Sequence, residues 1–395
     1  MQDAYIPFRA WWSSPFCKWQ GSIGQMHSVK LAAETAKVAL QRRSIAPEAL
    51  EGIVLGLTVH QKRSFYGAPW VSGMLGAPGI TGPTVSQACA TGARAIVTAA
   101  HEVASGQGGN VLVVTCDRTS NGPHVYYPDP TGPGGRGEGE DPVWDNFGFD
   151  PYGKTSMLQT AENVAKEVGI TREEQDEIAL LRSQQYHDAL ADDRAFQRPW
   201  MVPIELKRGR RVVGAVDADE GVFPSTAEGL AKLRPALEGG TVTFGSQTHP
   251  ADGNAGLIVC NKDQAEQLAP DAPLKVRVLG YGEARVKPAF MPMAVVPAAR
   301  DALERSGVAL QDIAAIKTHN PFAVNDVFFC RELDLQPENV NRYGSPLVWG
   351  HPQGPTGTRA VIELIEELAM RGGGRGLFSG CAAGDSAMAL VIEVG

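Results

Sequence analysis

The chain is short of the features that mark several protein classes. Its 395 residues hold only six cysteines (Cys17, Cys89, Cys116, Cys260, Cys330, Cys381), with no Cys-x-x-Cys pair and no histidine at metal-ligand spacing beside one. That argues against a zinc site, so no metal is expected, and scattered thiols suit a reducing, cytoplasmic setting. No apolar run approaches the roughly 20 residues that span a bilayer, and Met1–Pro7 lacks a basic stretch followed by an apolar one. A soluble protein with no membrane partner is expected. Lys and Arg number 36 against 44 Asp and Glu, a formal net charge of −8, and the densest basic stretch is only Lys207-Arg208-Gly209-Arg210-Arg211. Nucleic acid is therefore not an expected partner.

What is present describes a globular protein: 43% hydrophobic and 20% charged residues, with Gly 45 and Pro 27 spread along the chain. The length exceeds what one ordinary core absorbs, which predicts several domains or duplicated halves. Helical spacing of apolar residues predicts a helix over 28–46, and Ile53–Val59 then reads as a buried strand. Thr91–Ser105 is an Ala-rich helix, followed by a second apolar strand at Val111–Cys116. This alternation predicts an α/β fold.

The pattern returns later in the chain. Ala49-Leu50-Glu51-Gly52-Ile53 is echoed by Ala309-Leu310-Gln311-Asp312-Ile313, and Thr91-Gly92-Ala93-Arg94-Ala95 by Thr356-Gly357-Thr358-Arg359-Ala360. Cys116 and Cys381, each ending a strand, are separated by nearly the same interval, so we infer two related halves. Between them, Ser120–Gly153 is rich in Gly, Pro, Tyr and Asp, too long for an idle loop. Helices are predicted over 160–169 and 171–190, the second opened by a Thr171/Glu174 capping box. The predicted organisation is a first half of 1–118 plus 241–264, with strands at Thr241–Gly245 and Ala255–Cys260, an inserted loop subdomain of 119–240, and a second half of 265–395.

Three segments carry candidate chemistry. Cys89 lies among small residues at the start of a predicted helix, where free N–H groups lower a thiol pKa and face a developing oxyanion; a buried structural cysteine is the alternative. His351 lies in a Gly/Pro-rich turn ahead of a helix, and Cys381 lies between a strand and a small-residue turn.

With Met157–Asn163, Asp252-Gly253, His319-Asn320-Pro321-Phe322-Ala323, Gly350-His351-Pro352 and Thr356-Gly357 in order, the chain resembles the thiolase superfamily over nearly its whole length. The resemblance implies a thiolase-like fold of two duplicated α/β halves in α-β-α-β-α layers. It makes Cys89 the acyl-accepting nucleophile, His351 the imidazole that activates it, and Cys381 the acid/base at the substrate α-carbon and the CoA sulfur. A thiol titrates near enough to neutrality to give and take protons. His319 joins His351 in holding an enolate oxygen, and the N–H groups of Cys89 and Ala383 form the oxyanion hole of acyl transfer. Met157, Phe223, Thr248 and Phe322 fall on substrate- or CoA-binding positions.

The sequence departs from the family at Asn320, where a Glu is usual, and at Ala383, where a glycine is usual within the stretch running to Asp385. Phe223 and Thr248 replace an arginine and a serine at CoA-contacting positions. The expected activity is CoA-dependent cleavage of a 3-oxoacyl-CoA through acyl-Cys89, with CoA as co-substrate and no tightly bound cofactor. The aromatic start (Tyr5, Phe8, Trp11, Trp12, Phe16, Trp19) and Trp70 suggest a bulky or aromatic acyl group such as benzoylsuccinyl-CoA and a place in aromatic degradation. The alternatives are a decarboxylating ketoacyl-synthase-type enzyme, which would not need Cys381, and a non-catalytic acyl-CoA- or lipid-binding relative. A homodimer or dimer of dimers is expected, and a small zinc-ribbon protein is a candidate second chain.

Overall fold

The computed structural model describes residues 4–395. Two mixed sheets are built on one plan. In the first, the parallel pair Gly52–Gly56 and Val111–Arg118 is extended by Ala251–Val259, antiparallel to Val111–Arg118. In the second, the parallel pair Ile313–His319 and Gly374–Ala382 is extended by Ser386–Val394, antiparallel to Gly374–Ala382. Trp11–Ser13 and Thr84–Val85 form the borders of the first sheet; Val276–Arg285 continues the second.

The layering follows from strand periodicity. Val111 and Val113 face a central core that includes Ile96 and Val97 of helix Thr91–Ala104, Val361 and Leu364 of helix Gly354–Met370, and Phe378 and Leu390 of the second sheet. Leu112 and Val114 face the other way, onto helices Ser28–Arg42 and Gly67–Leu75. Leu377 and Val391 face a third core with helices Val295–Ser306 and Ala323–Glu332. Helix, sheet, helix pair, sheet, helix is the expected five-layer arrangement.

Several boundaries differ from the sequence reading. Tyr5–Ile6 pairs with Val276–Arg285, so the first strand joins the sheet of the second half. The predicted helix over 28–46 ends at Arg42, where Arg43 and Ser44 turn the chain. Thr241–Gly245 is no strand: the Thr241 and Val242 N–H groups donate to the Glu162 carboxylate at 2.8 Å, which ties this stretch to helix Met157–Val168. That helix packs Ala161 and Val164 into the second half's core, so the insertion shares that core. The Thr171/Glu174 capping box forms and opens helix Arg172–Asp188.

Candidate active site

The site lies where the two central helices meet at their N-termini. A Cβ on Gly92 would stand 2.4 Å from the Thr358 nitrogen and 2.7 Å from the Gly354 carbonyl, so only glycine lets the helices approach this closely. The repeated Thr-Gly dipeptides are thus the contact between the halves, and the residues just ahead of each helix come together. On one side Ala88, at φ +44°, makes the tight turn that precedes Cys89. On the other, Gly350 at φ +92° precedes His351, whose N–H donates to the His249 carbonyl.

His351 Nε2 stands 3.2 Å from Cys89 Sγ, and its Nδ1 stands 2.7 Å from the Thr356 hydroxyl. With Nδ1–H donating to Thr356, Nε2 is left as the acceptor for the thiol proton. Burial pushes the Cys89 thiol up to about 11, although the N–H groups of Ala383 and of Cys89 itself oppose the rise. Burial also pushes His351 down to about 3. This corrects the expectation of a thiol lowered by its helix: Cys89 lies outside helix Thr91–Ala104, and desolvation outweighs the local N–H groups. The resting pair is therefore neutral. The Ala383 and Cys89 N–H groups face the Cys89 sulfur.

His319 ends strand Ile313–His319, and its ring centroid lies 4.3 Å from that of His351. It is fully buried, and both its ring nitrogens lack a partner among the described residues. Burial, then the neighbouring His351, holds it well below the usual histidine range, so it is a neutral imidazole with a free N–H. One ligand-type atom from each of Cys89, His319 and His351 lies within 4.8 Å of the others, a donor set of metal-binding composition that the absence of cysteine pairs did not foreshadow.

Cys381 closes the opposite side, near the end of strand Gly374–Ala382. Burial first, then proximity to Cys89, pushes its thiol well up. Asn325 opposes this rise by donating Nδ2–H to Cys381 Sγ at 3.3 Å. The Asn325 amide is oriented by its other end, where Oδ1 accepts the Phe322 N–H at 3.3 Å. Asn325 escaped the sequence reading because a polar residue in the first turn of a helix is ordinarily a cap. Asp117 escaped it too: its buried carboxylate accepts N–H bonds from Thr58, Val59 and Gly354, anchoring the start of the helix that follows His351 to the first sheet.

Asn320, at the usual Glu position, is spent on structure. Its Nδ2 donates to Asp326 at 2.7 Å and to Ser345 at 3.1 Å, and its Oδ1 accepts the Leu347 N–H. Asp326 also pairs with the fully buried Arg182 at 2.7 Å. Thr248 is committed as well, its hydroxyl donating to the Pro346 carbonyl and its N–H to Pro321, so it stitches the His319 and His351 loops together. Phe322 is buried in the second half's core and Met157 packs against that core. Phe223 is 72% exposed and stays on the surface. Asp385 accepts the Ala289 and Phe290 N–H groups at 2.9 Å, fixing the turn after Ala383.

Three of the N-terminal aromatics do not line this site. Trp11, Trp12 and Phe16 are core residues, with Phe16 against Trp349 and the Trp11 indole N–H donating to Glu366. Among the described residues no helix is long and apolar enough to cross a membrane.

Comparison with known proteins identifies both halves of the chain. Residues 12–263 match the thiolase N-terminal domain and residues 272–394 the thiolase C-terminal domain. The acetyl-CoA acetyltransferase of Escherichia coli K12 is 32% identical over 384 residues, covering 94% of this chain and 95% of that protein. The mitochondrial 3-ketoacyl-CoA thiolase of Rattus norvegicus is 31% identical over 388 residues, covering 96% of each. Human mitochondrial 3-ketoacyl-CoA thiolase, also solved in complex with CoA, superposes with a TM-score of 0.90 at 28% identity over 99% of this chain and 98% of that one in the complex. The Bacillus anthracis acetyl-CoA acetyltransferase gives a TM-score of 0.90 at 31% identity, covering 100% of this chain and 99% of that one. With both halves matched and the fold shared throughout, the chain belongs to the thiolase superfamily.

Proposed function

We propose that this chain cleaves a 3-oxoacyl-CoA with free CoA by two-step acyl transfer through Cys89. Its family makes it an acyltransferase; the roles of its residues are our reading of the site. The observation that carries it is the 3.2 Å contact between Cys89 Sγ and His351 Nε2, made across the two halves with the far side of the imidazole held by Thr356.

In the first step the Cys89 proton passes to His351 Nε2 and the thiolate attacks the 3-oxo carbon. The alkoxide forms beside the Ala383 and Cys89 N–H groups, which face the sulfur. The C2–C3 bond then breaks, leaving acyl-Cys89 and the enolate of the shorter acyl-CoA. The enolate oxygen takes hydrogen bonds from protonated His351 and neutral His319, and Cys381 protonates its carbon. In the second step Cys381, now a thiolate, takes the proton of an incoming CoA thiol, the CoA sulfur displaces Cys89, and the departing Cys89 thiolate recovers its proton from His351 Nε2.

Asn325 supports this division of labour, because its N–H stabilises the Cys381 thiolate. A decarboxylating enzyme needs no base there, which disfavours the ketoacyl-synthase alternative. The reading of a bulky acyl group such as benzoylsuccinyl-CoA loses the support of Trp11, Trp12 and Phe16, which are committed to the core. Direct assay tests the reading: enolate absorbance of a 3-oxoacyl-CoA should fall on adding CoA and stay constant in Cys89→Ala. CoA-independent loss, or undiminished loss in the variant, would sink it.

A further inference from the structure

Gln353 lies between His351 and helix Gly354–Met370 with its backbone at φ +65°, ψ −106°, a region that residues other than glycine rarely occupy. Its side chain is only 6% exposed. Oε1 stands 3.5 Å from Cys89 Sγ, whereas Nε2 is buried with no partner among the described residues. A polar side chain is thus held against the nucleophile by a strained backbone, with its donor unused. Buried donors are normally paired, so the vacancy calls for an acceptor.

Two acceptors, His351 Nε2 and Gln353 Oε1, face the one proton of the thiol. Once that proton has moved to His351, Oε1 would direct its lone pairs at an anionic sulfur. A half turn of the terminal torsion exchanges Oε1 and Nε2 with little change in shape. It removes the repulsion and gives Nε2 its missing partner. Resting on the reading of Cys89 as nucleophile, the geometry points to Gln353 as a further donor to the Cys89 thiolate, its carboxamide accepting from the thiol and turning to donate when the proton leaves. The proton goes from Sγ to Nε2 of His351 and nothing else is exchanged. An acylated sulfur carries no charge, so the contact favours the thiolate both as attacking and as leaving group.

The titratable groups facing this sulfur are His351, His319, Cys381 and Asp117. Both imidazoles and the second thiol are neutral at rest and Asp117 raises the Cys89 thiol; once the proton has moved, the His351 imidazolium and the N–H donors share the stabilisation of the thiolate.

The test is the rate of iodoacetamide labelling at Cys89 against pH, in the full chain and in Gln353→Met and Gln353→Glu, read by peptide mass spectrometry. Losing a charge-assisted bond should lower the neutral-pH rate in Gln353→Met roughly tenfold and move the alkaline rise about one pH unit higher. Gln353→Glu, which keeps the acceptor and adds a negative charge, should fall further. Gln353→Asn should recover part of the rate, and KM for acyl-CoA should stay near its original value. A profile in Gln353→Met that overlays the wild type would overturn the proposal, as would a change confined to KM. Failure of the wild-type chain to carry acyl on Cys89 would instead count against the thiolase reading, with the labelling difference still deciding the part of Gln353.

Discussion

Replacing Thr356 by Val tests the proton inventory of the site with almost no change of shape. The Thr356 hydroxyl is buried, 2.7 Å from His351 Nδ1, and its removal leaves Nδ1–H with no acceptor. An unpaired buried donor costs about 1–3 kcal/mol. The imidazole escapes that cost by moving its proton to Nε2, the atom 3.2 Å from Cys89 Sγ. In that tautomer it cannot take the thiol proton. With about 1.4 kcal/mol per tenfold, the base-competent form falls roughly five- to a hundredfold. Iodoacetamide labelling of Cys89 and single-turnover acylation by an acyl-CoA should both slow by that factor, while Thr356→Ser restores them. Labelling at the wild-type rate in Thr356→Val would refute the assignment of the proton to Nδ1, and with it His351 as the base.

The same pair dictates a pH profile. His351, lowered to about 3, is protonated from solvent only in strong acid, and Cys89, raised to about 11, is deprotonated by solvent only in strong base. Acylation should therefore be flat between about pH 5 and 9, and a steep rise across pH 7 would show that solvent, not His351, takes the proton. Cys381→Ser should keep acyl transfer from a simple acyl-CoA to Cys89 but lose α-proton exchange, and Asn325→Leu should weaken only the exchange; equal loss of both steps would reduce Cys381 to a structural role. Arg359, fully buried, pairs with Asp219 at 2.6 Å and lies over the rings of Phe16, Trp200 and Trp349. Arg359→Met strands Asp219 and should cost about 3–5 kcal/mol, seen as a large drop in denaturation midpoint; a small one would show that the aromatic cage alone holds the region. For assembly, we expect at least a homodimer by light scattering, and a monomer would refute it. Thiolysis by the purified chain alone would dismiss the need for a zinc-ribbon partner.

The duplication was legible because each half repeats short local signals, a strand entry and a Thr-Gly helix start, and those recur in three dimensions as matching strand pairs. Cys89, His351 and Cys381 stood out in the sequence because they lie in small-residue turns, where packing seldom asks for such side chains. Residues acting through long-range contacts did not. Asn325 and Asp117 gain meaning only when the sheets and helices converge, since their partners, Cys381 and Gly354, lie far away in sequence. Thr241–Gly245 misled because its run of β-branched residues favours a strand, whereas the Glu162 carboxylate claims the backbone N–H groups a sheet would have used. The N-terminal aromatics misled for another reason: a Trp contributes apolar area whether it faces a ligand or a core, and Trp12 fills the space over Gly256.

The central claim is that Cys89 carries the acyl group between the two half-reactions. Incubating the chain with a 3-oxoacyl-CoA in the absence of free CoA, quenching in acid and digesting should give a single acylated peptide, the one containing Cys89. Its mass gain should equal the acyl fragment beyond the C2–C3 bond, and it should disappear on adding CoA. CoA-dependent turnover without that adduct, or with the acyl group on Cys381 instead, would contradict the account.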